Sequence, residues 1–239
     1  HIACGVTGIS TSALPVVRCR ASATAFITTW KTDNGGSSES SQIKTENNQI
    51  KIGTLGDGYD YQVDWGDGST DTNVTGDITH TYAVDGTYTV AITGDFPQIY
   101  FSNECDNSKL LSIEQWGNRI WRSMHQAFYG CQNLTINASD TPNLSQVKDM
   151  GNMFYGAYKF NQDLSTWDVS AVTDMSRMFS YASAFNQDLS AWDVSSVTDM
   201  SGMFYNARKF NQDLSTWDVS AVTDTSEMFY NAHKFNQDL

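Results

Sequence analysis

The stretch FNQDLSTWDVSAVTDMSRMFSYASA, from Phe160 to Ala184, is followed by two near-copies of itself. FNQDLSAWDVSSVTDMSGMFYNARK begins at Phe185, FNQDLSTWDVSAVTDTSEMFYNAHK begins at Phe210, and a fourth copy starts at Phe235. The period is 25 residues, without insertions. Such a period is typical of a solenoid, in which each coil buries its apolar side chains by stacking on the next coil.

The apolar spacing in one half of the repeat predicts a short helix. Four apolar residues have the i, i+3, i+4, i+7 spacing of one helix face. They are Met175, Met178, Phe179 and Ala182. Asp174 precedes them and is placed to cap the helix N-terminus.

The other half of the repeat predicts a short strand. Its apolar residues follow the L-x-x-L-x-L spacing, and they are Leu164, Trp167, Val169 and Val172. Alternation across Trp167-Asp168-Val169 is typical of a strand that stacks into a parallel sheet. We therefore expect an α/β leucine-rich-repeat-type solenoid over 151–239, with one short strand and one short helix per 25-residue coil and an incomplete last repeat.

The chain before the repeats divides into three segments. Apolar runs at Phe26–Trp30, Tyr59–Trp65 and Thr87–Ile92, separated by polar turns that contain glycine, predict a small, all-β antiparallel sandwich over 23–97. A looser form of the repeat predicts a degenerate first coil or cap over 98–150. Residues 1–22 form an N-terminal segment.

Four cysteines are spread along the chain, and none has the C-x-x-C spacing of a zinc or redox site. We interpret them as two disulfides, Cys4 with Cys19 and Cys105 with Cys131. The first would close the N-terminal segment, and both would imply an oxidising compartment. Four buried free thiols are the alternative interpretation.

Two motifs resemble known families. Three segments resemble the polycystic-kidney-disease-type (PKD-like) domain: YQVDWGDGS at Tyr61–Ser69, HTY at His80–Tyr82 and GTYTVAI at Gly86–Ile92. This resemblance implies that the all-β N-terminal sandwich is of immunoglobulin-like type. The repeat FNQDLSxWDVSxVTDMSxMF, over Gly151–Leu239, resembles the BspA-like leucine-rich-repeat surface proteins of bacteria. This resemblance implies an exported, non-catalytic protein at the cell surface, and adhesion as its role.

Composition restricts the partners. The formal net charge is −13, which disfavours nucleic acids and anionic membrane surfaces because both need a basic face. No apolar run approaches the roughly 20 residues of a membrane-spanning helix, so membrane insertion is not expected. The four histidines are dispersed, and the sequence has no nucleophile elbow or phosphate-binding loop, so we expect no enzyme activity.

Acidic residues supply the candidate cation sites. Asp64, Asp67 and Asp71 surround one turn and could offer oxygen ligands to calcium, although a tight hairpin in which Asp67 bonds backbone amides explains them as well. Calcium is the one cofactor considered, and otherwise none is expected.

The repeats add columns of identical residues. A possible ligand or cation face comprises Asp168, Asp193, Asp218, Ser170, Ser195 and Ser220. We expect two further columns to be structural ladders, and their members are Trp167, Trp192, Trp217, Asn161, Asn186 and Asn211. The tryptophans would form a buried spine and the asparagines would satisfy backbone groups in turns.

Two functions remain open. The first is adhesion or ligand display, in which the solenoid binds a protein or glycan of a host or environmental surface. The second is a subunit of an extracellular filament or sheath, in which copies stack end to end. The second arises because Leu239 falls within a repeat without a polar capping coil, which a longer natural chain would also explain.

Overall fold

The computed structural model describes residues 24–34, 45–101 and 106–238. This part of the chain contains β-strands, turns and no helix. The strands are β1 (Phe26–Lys31), β2 (Gln49–Ile52), β3 (Asp60–Asp64), β4 (Thr70–Val74), β5 (Ile78–Thr81), β6 (Thr87–Asp95), β7 (Leu110–Gln115) and β8 (Thr135–Ile136).

The N-terminal strands form two sheets. Six strands are ordered β4-β3-β6-β1-β7-β8, and β2 pairs with β5 in a second, two-stranded sheet. β1 pairs antiparallel with β6 and with β7. The apolar runs identified in the sequence coincide with β1, β3 and β6. Alternate residues of these strands are buried, such as Tyr61 and Val63 in β3, because side chains on a strand point alternately to its two faces.

The turn between β3 and β4 requires glycine. The Trp65 amide donates to the Ser69 carbonyl at 3.2 Å, and Gly66 has a φ of +78°. A Cβ at Gly66 would lie 2.4 Å from the Thr89 carbonyl oxygen on β6, so no residue with a side chain fits at this position. The tight approach holds the W-G-D-G turn against the sheet.

β7 connects the sheets to the repeats. It is antiparallel to β1 on one side and parallel to β8, in the first coil, on the other. Trp116 follows β7 and stacks 5.8 Å from Phe26 and edge-to-face 5.4 Å from Trp167. One hydrophobic core therefore runs from the sandwich into the coils.

The predicted solenoid of strands and helices is wrong, because each coil is a succession of turns. Coil 1 spans 124–149, coil 2 150–174, coil 3 175–199, coil 4 200–224 and coil 5 225–238. The Met178 amide donates to the Met175 carbonyl at 3.2 Å and the Ala182 amide to the Phe179 carbonyl at 3.0 Å. With a third bond between them, from Ser180 to Arg177 at 3.1 Å, they form a run of successive turns where a helix was expected. The predicted strand at Trp167 is likewise a segment between two turns.

The second turn pair shows the same arrangement. The Trp167 amide donates to the Leu164 carbonyl at 3.0 Å, and the Val172 amide donates to the Val169 carbonyl at 2.9 Å. Beyond β8, parallel pairing is reduced to single bridges between consecutive coils, from coil 1 to coil 5. They join Asp149, Asp174, Asp199 and Asp224.

The backbone amides explain why no helix forms. Every second amide donates to the next coil: Asn152 to the Ser176 carbonyl at 2.8 Å and Phe154 to the Met178 carbonyl at 2.9 Å. Asn152 also has a φ of 56°, which interrupts a right-handed helix. Amides committed to another coil cannot bond four residues back, so the i, i+3 apolar spacing belongs to turns.

Phenylalanine columns fill the interior of the solenoid. Phe154, Phe179, Phe204 and Phe229 stack nearly parallel, with centroids 5.6, 5.7 and 5.6 Å apart. The first three are fully buried, whereas Phe229 is partly exposed, because no coil beyond coil 5 covers it in the part of the chain described. Burial in this column thus depends on a coil on both sides.

This dependence predicts unequal costs for the same substitution. Phe204→Ala removes a ring between two coils and should lower the free energy of unfolding by about 3–5 kcal/mol. Phe229→Ala, the matched control in coil 5, should cost less than half as much. Urea denaturation of both variants measures the difference, and equal costs would contradict stacking as the source of stability.

Candidate functional site

The coils place identical residue types above one another, so exposed residues form columns along the solenoid axis. Side chains help to fix the columns. The Thr173 hydroxyl donates to the Lys148 carbonyl at 3.1 Å, and the Thr198 hydroxyl donates to the Thr173 carbonyl at 3.1 Å. Bonds between coils set the columns at about the 4.8 Å spacing of paired strands.

The column of Asp168, Asp193 and Asp218 is exposed, and its carboxylates bond serines of their own coil. Asp168 Oδ1 accepts from the Ser170 amide at 3.1 Å and from its hydroxyl at 2.6 Å. Asp193 repeats this contact with Ser195.

These hydrogen bonds determine the charge of the column. Those from Ser170 lower the pKa of Asp168, although the neighbouring charge of Asp193 opposes them. Ser220 also donates its amide to Asp218, at 3.0 Å. The face therefore stays ionised and presents mainly hydrogen-bond acceptors.

The calcium candidates bond to separate local donors. Asp64 accepts from the Gly66 amide at 3.0 Å, and Asp71 accepts from the Trp65 indole at 2.7 Å. Asp67 accepts from the Ser69 amide at 2.9 Å. Across 24–34, 45–101 and 106–238, no group of three or more acidic, histidine or cysteine side chains could hold a metal ion. The structure does not bring these carboxylates together as one ligand set.

The tryptophan column is buried. Trp167, Trp192 and Trp217 are 5, 3 and 8% exposed. The Trp192 indole donates to the Leu164 carbonyl at 3.0 Å, one coil back, and the Trp217 indole bonds the preceding coil in the same way. These rings connect coils and offer no surface for stacking a ligand.

The asparagine column also connects coils. The Asn161 side-chain oxygen accepts from the Asn186 amide at 2.8 Å, and that of Asn186 accepts from the Asn211 amide at 2.8 Å. The ladder continues to Asn236 at 2.9 Å. Each asparagine thus satisfies a backbone group of the coil that follows it.

The two disulfides stay predictions. Cys4, Cys19 and Cys105 lie outside the described residues. Cys131 is fully buried in coil 1, with its sulfur 3.9 Å from the Tyr129 carbonyl oxygen.

A cleft of about 430 Å³ lies where the sandwich meets coil 1, and Arg119 lines it. The guanidinium group donates to the Ile92 carbonyl at 2.6 Å and lies 5.6 to 5.8 Å from the ring centroids of Phe26, Phe96 and Trp121. Burial lowers the pKa of Arg119 to about 10. The residue mainly joins the sandwich to the coils.

A stripe of tyrosines, which no sequence pattern predicted, runs along the solenoid. One tyrosine from each coil contributes, and the tyrosine stripe comprises Tyr129, Tyr155, Tyr181, Tyr205 and Tyr230. Successive ring centroids are 4.7, 5.4, 5.4 and 4.9 Å apart. The stripe reaches solvent, with Tyr181 43% and Tyr230 52% exposed.

Coil 3 builds its part of the stripe differently. Coil 1 reads FYGC here, coil 2 reads FYGA and coils 4 and 5 read FYNA, whereas coil 3 reads FSYA, so its tyrosine is one residue later. Tyr181 consequently occupies the position of Gly156 and Asn206 and has a φ of 59°. A bulky residue rarely adopts this conformation, which costs about 1–3 kcal/mol. Its ring nevertheless lies between those of Tyr155 and Tyr205.

Basic residues of the repeats lie close to the stripe tyrosines in the sequence. Every lysine and arginine of 151–239 is within four residues of a stripe tyrosine, and they are Lys159, Arg177, Arg208, Lys209 and Lys234. All five are exposed. The aspartates of 151–239 are all at least six residues from a stripe tyrosine. Glu227 is the one acidic residue of 151–239 that lies within four residues of a stripe tyrosine.

Contacts of Arg177 place a cation directly next to the stripe. Its Cγ lies 3.1 Å from where a Cβ of Gly202 would be, and the Tyr205 Cβ lies 3.7 Å from the same point. A larger side chain at 202 would therefore press on Arg177, while glycine lets it lie across coil 4. Arg177 precedes the tyrosine of its coil in the sequence, whereas Lys159 follows the tyrosine of its coil. The Lys159 ammonium group is 5.7 Å from the Tyr158 ring centroid.

Together these features define a class: a β-sandwich whose sheet and core continue into a solenoid of turn-built coils, with an acidic face and a stripe of tyrosines and cations. Residues 122–239 match a protein family described as "Mycoplasma protein of unknown function, DUF285". The match includes all the 25-residue repeats, and its description assigns no function. No curated protein and no solved structure matches the chain. Within the described ranges, no helix could span a membrane.

The ionisation of Asp67 makes the stability of the sandwich depend on pH. Burial alone would raise the pKa of Asp67, but hydrogen bonds from Ser69 and His80 outweigh it and lower that pKa to about 2. In the unfolded chain the value is about 3.9. Stability from this carboxylate is therefore present above about pH 4 and is lost as the pH falls towards 2.

We expect Asp67→Asn to lower the free energy of unfolding at neutral pH and to flatten its decline between about pH 4 and pH 2. Urea denaturation over a pH series measures both effects. Asp60→Asn, at an exposed position of β3, is the control and should keep the wild-type slope. An Asp67→Asn slope equal to that of the wild type would refute this role.

Proposed function

We propose that this chain is a non-enzymatic extracellular protein of a bacterial surface, in which the solenoid displays a repeated surface for adhesion to a host or environmental ligand. The observation that carries the proposal is the regular repetition of exposed side chains on a coil stack bonded at every level. Such a stack keeps its columns at one spacing, as a binding surface for an extended partner requires.

The uniformity of the coils favours a repeating ligand. Along the Asp168 face only two positions vary between copies, at 166 and 171 of the first copy. The variants are Thr166, Ala191 and Thr216, and Ala171, Ser196 and Ala221. Recognition of a single, non-repeating epitope would require different residues in different coils. A polymer instead offers the same chemical group to each coil.

The histidine contacts support a non-enzymatic role. His80 Nε2 is 2.9 Å from Asp67 and 3.4 Å from the Ser69 hydroxyl, which itself donates to Asp67 at 2.5 Å. In an acyl-transfer triad the carboxylate and the serine lie at opposite nitrogens of the imidazole. Here both groups lie at Nε2. The imidazole is therefore not placed to accept the serine proton at one nitrogen while a carboxylate stabilises the resulting charge at the other.

The test is direct binding by the purified 239-residue chain. The protein is attached to beads and offered neutral polysaccharides, acidic polysaccharides and extracellular matrix proteins in turn. We expect saturable binding to at least one of these classes, with the mass of the ligand unchanged after incubation. Ligand cleavage would contradict the non-enzymatic proposal.

Electron microscopy over a dilution series separates display from self-assembly. Dispersed particles together with ligand binding support adhesion. Regular filaments without binding to any ligand class would replace the proposal with a structural subunit whose partners are copies of itself.

A further inference from the structure

We infer that the tyrosine stripe and its flanking cations bind an extended acidic polysaccharide. The inference rests on the proposed display function and names its binding face and its ligand class. Three features of the coils support this ligand class: the distribution of charge, the spacing of the aromatic rings and the displaced tyrosine of coil 3.

The charge distribution identifies an anionic partner. The chain carries a net charge of −13, yet all five lysines and arginines of the repeats border one stripe. Among the described residues none of the five forms an ion pair, since the ion pairs found involve only Lys31, Lys51, His80, Lys109 and His125. Aspartates lie three or four residues in the sequence from four of the five, yet within the described residues none of these aspartates forms an ion pair with a cation of the repeats. Gathered and uncompensated, the cations attract a polyanion.

Each of coils 2 to 5 supplies at least one cation of its own. Coil 2 contributes Lys159 and coil 5 contributes Lys234, while coil 4 contributes Arg208 and Lys209. Coil 3 has Ser183 and Ala184 at the corresponding positions. Its cation is Arg177, which precedes the stripe tyrosine of the coil instead of following it. One cation or more per coil suits a polymer with a negative charge on each sugar or each pair of sugars.

The aromatic groups suit a polysaccharide. The stacked rings present their edges and hydroxyl groups at intervals of 4.7 to 5.4 Å, which is about the size of one sugar ring. A tyrosine is apolar along its body and polar at its tip, as carbohydrate recognition requires. Tyr158, beside Lys159, adds an exposed ring at 45%. A chain lying along the solenoid axis would meet these groups in every coil.

Coil 3 has a tyrosine ring in the stripe although the backbone at Tyr181 is strained. Asparagine occupies its backbone position in coils 4 and 5 without the strain that a bulky residue suffers there. Coil 3 instead keeps a tyrosine in a left-handed conformation, and its ring closes the gap that Ser180 would otherwise leave in the stripe. Strain held at a surface position points to a binding role.

The test measures binding of the purified full chain to polygalacturonate, an acidic polymer with one carboxylate per sugar, and to the same polymer with its carboxylates methyl-esterified. We expect binding to polygalacturonate alone, weakening as salt is added. The double variant Arg208→Gln, Lys209→Gln should weaken it about 3- to 10-fold, as expected for two exposed charges. The control Lys31→Gln, Lys148→Gln removes the same charge away from the stripe and should bind like the wild type.

Tyr181→Asn separates binding from folding. It introduces the residue that coils 4 and 5 carry, so the free energy of unfolding should stay equal or rise, while binding to polygalacturonate weakens. Undiminished binding by this variant and by the double variant would overturn the inference. Equal binding of the esterified polymer, or binding only to neutral glycans or proteins, would overturn it and leave the display function standing. Binding to no ligand class would overturn both.

Discussion

The fold of the repeats depends on how the backbone amides alternate. In each coil, one amide closes a turn with a carbonyl three residues back, and the next donates to the following coil. The two uses of the amide are inseparable, because the residues that turn the chain through left-handed φ also direct the alternate amides along the solenoid axis. No coil can satisfy its backbone alone, so coil formation and coil stacking are the same event.

The sandwich supplies the first surface for this stacking. β7 pairs with β1 through antiparallel bonds and offers its other edge to β8, so the edge of the sandwich sheet becomes the beginning of the coil stack. Trp116 carries the side-chain packing across the same junction, between Phe26 and Trp167. An N-terminal cap must cover the open backbone edge and the open core of the first coil, and here both are covered by one element and one ring.

The sequence predicts the period, the N-terminal strands and which repeat residues are apolar, since these depend only on local patterns. It does not separate a helix from linked turns, because apolar residues three apart line one face of either structure. The distinguishing signal is glycine or asparagine at recurrent positions such as Gly156, Asn206 and Asn231, which favour left-handed φ and weaken a helix. The tyrosine stripe escapes detection because Tyr181 is displaced by one residue, and only the backbone turn restores its ring to the column.

The two charged surfaces handle like-charge repulsion differently. Aspartates of neighbouring coils repel one another, but each accepts hydrogen bonds from a serine two residues on, so the protein itself stabilises the negative charge. The cations beside the stripe have no equivalent ion-pair partner within the described residues, and those of coils 4 and 5 lie on adjacent levels. Solvent, salt or an external anion relieves the repulsion among them. A polyanion that neutralises several at once would therefore hold the coils together as well as bind them, so binding and stacking stability should be thermodynamically coupled.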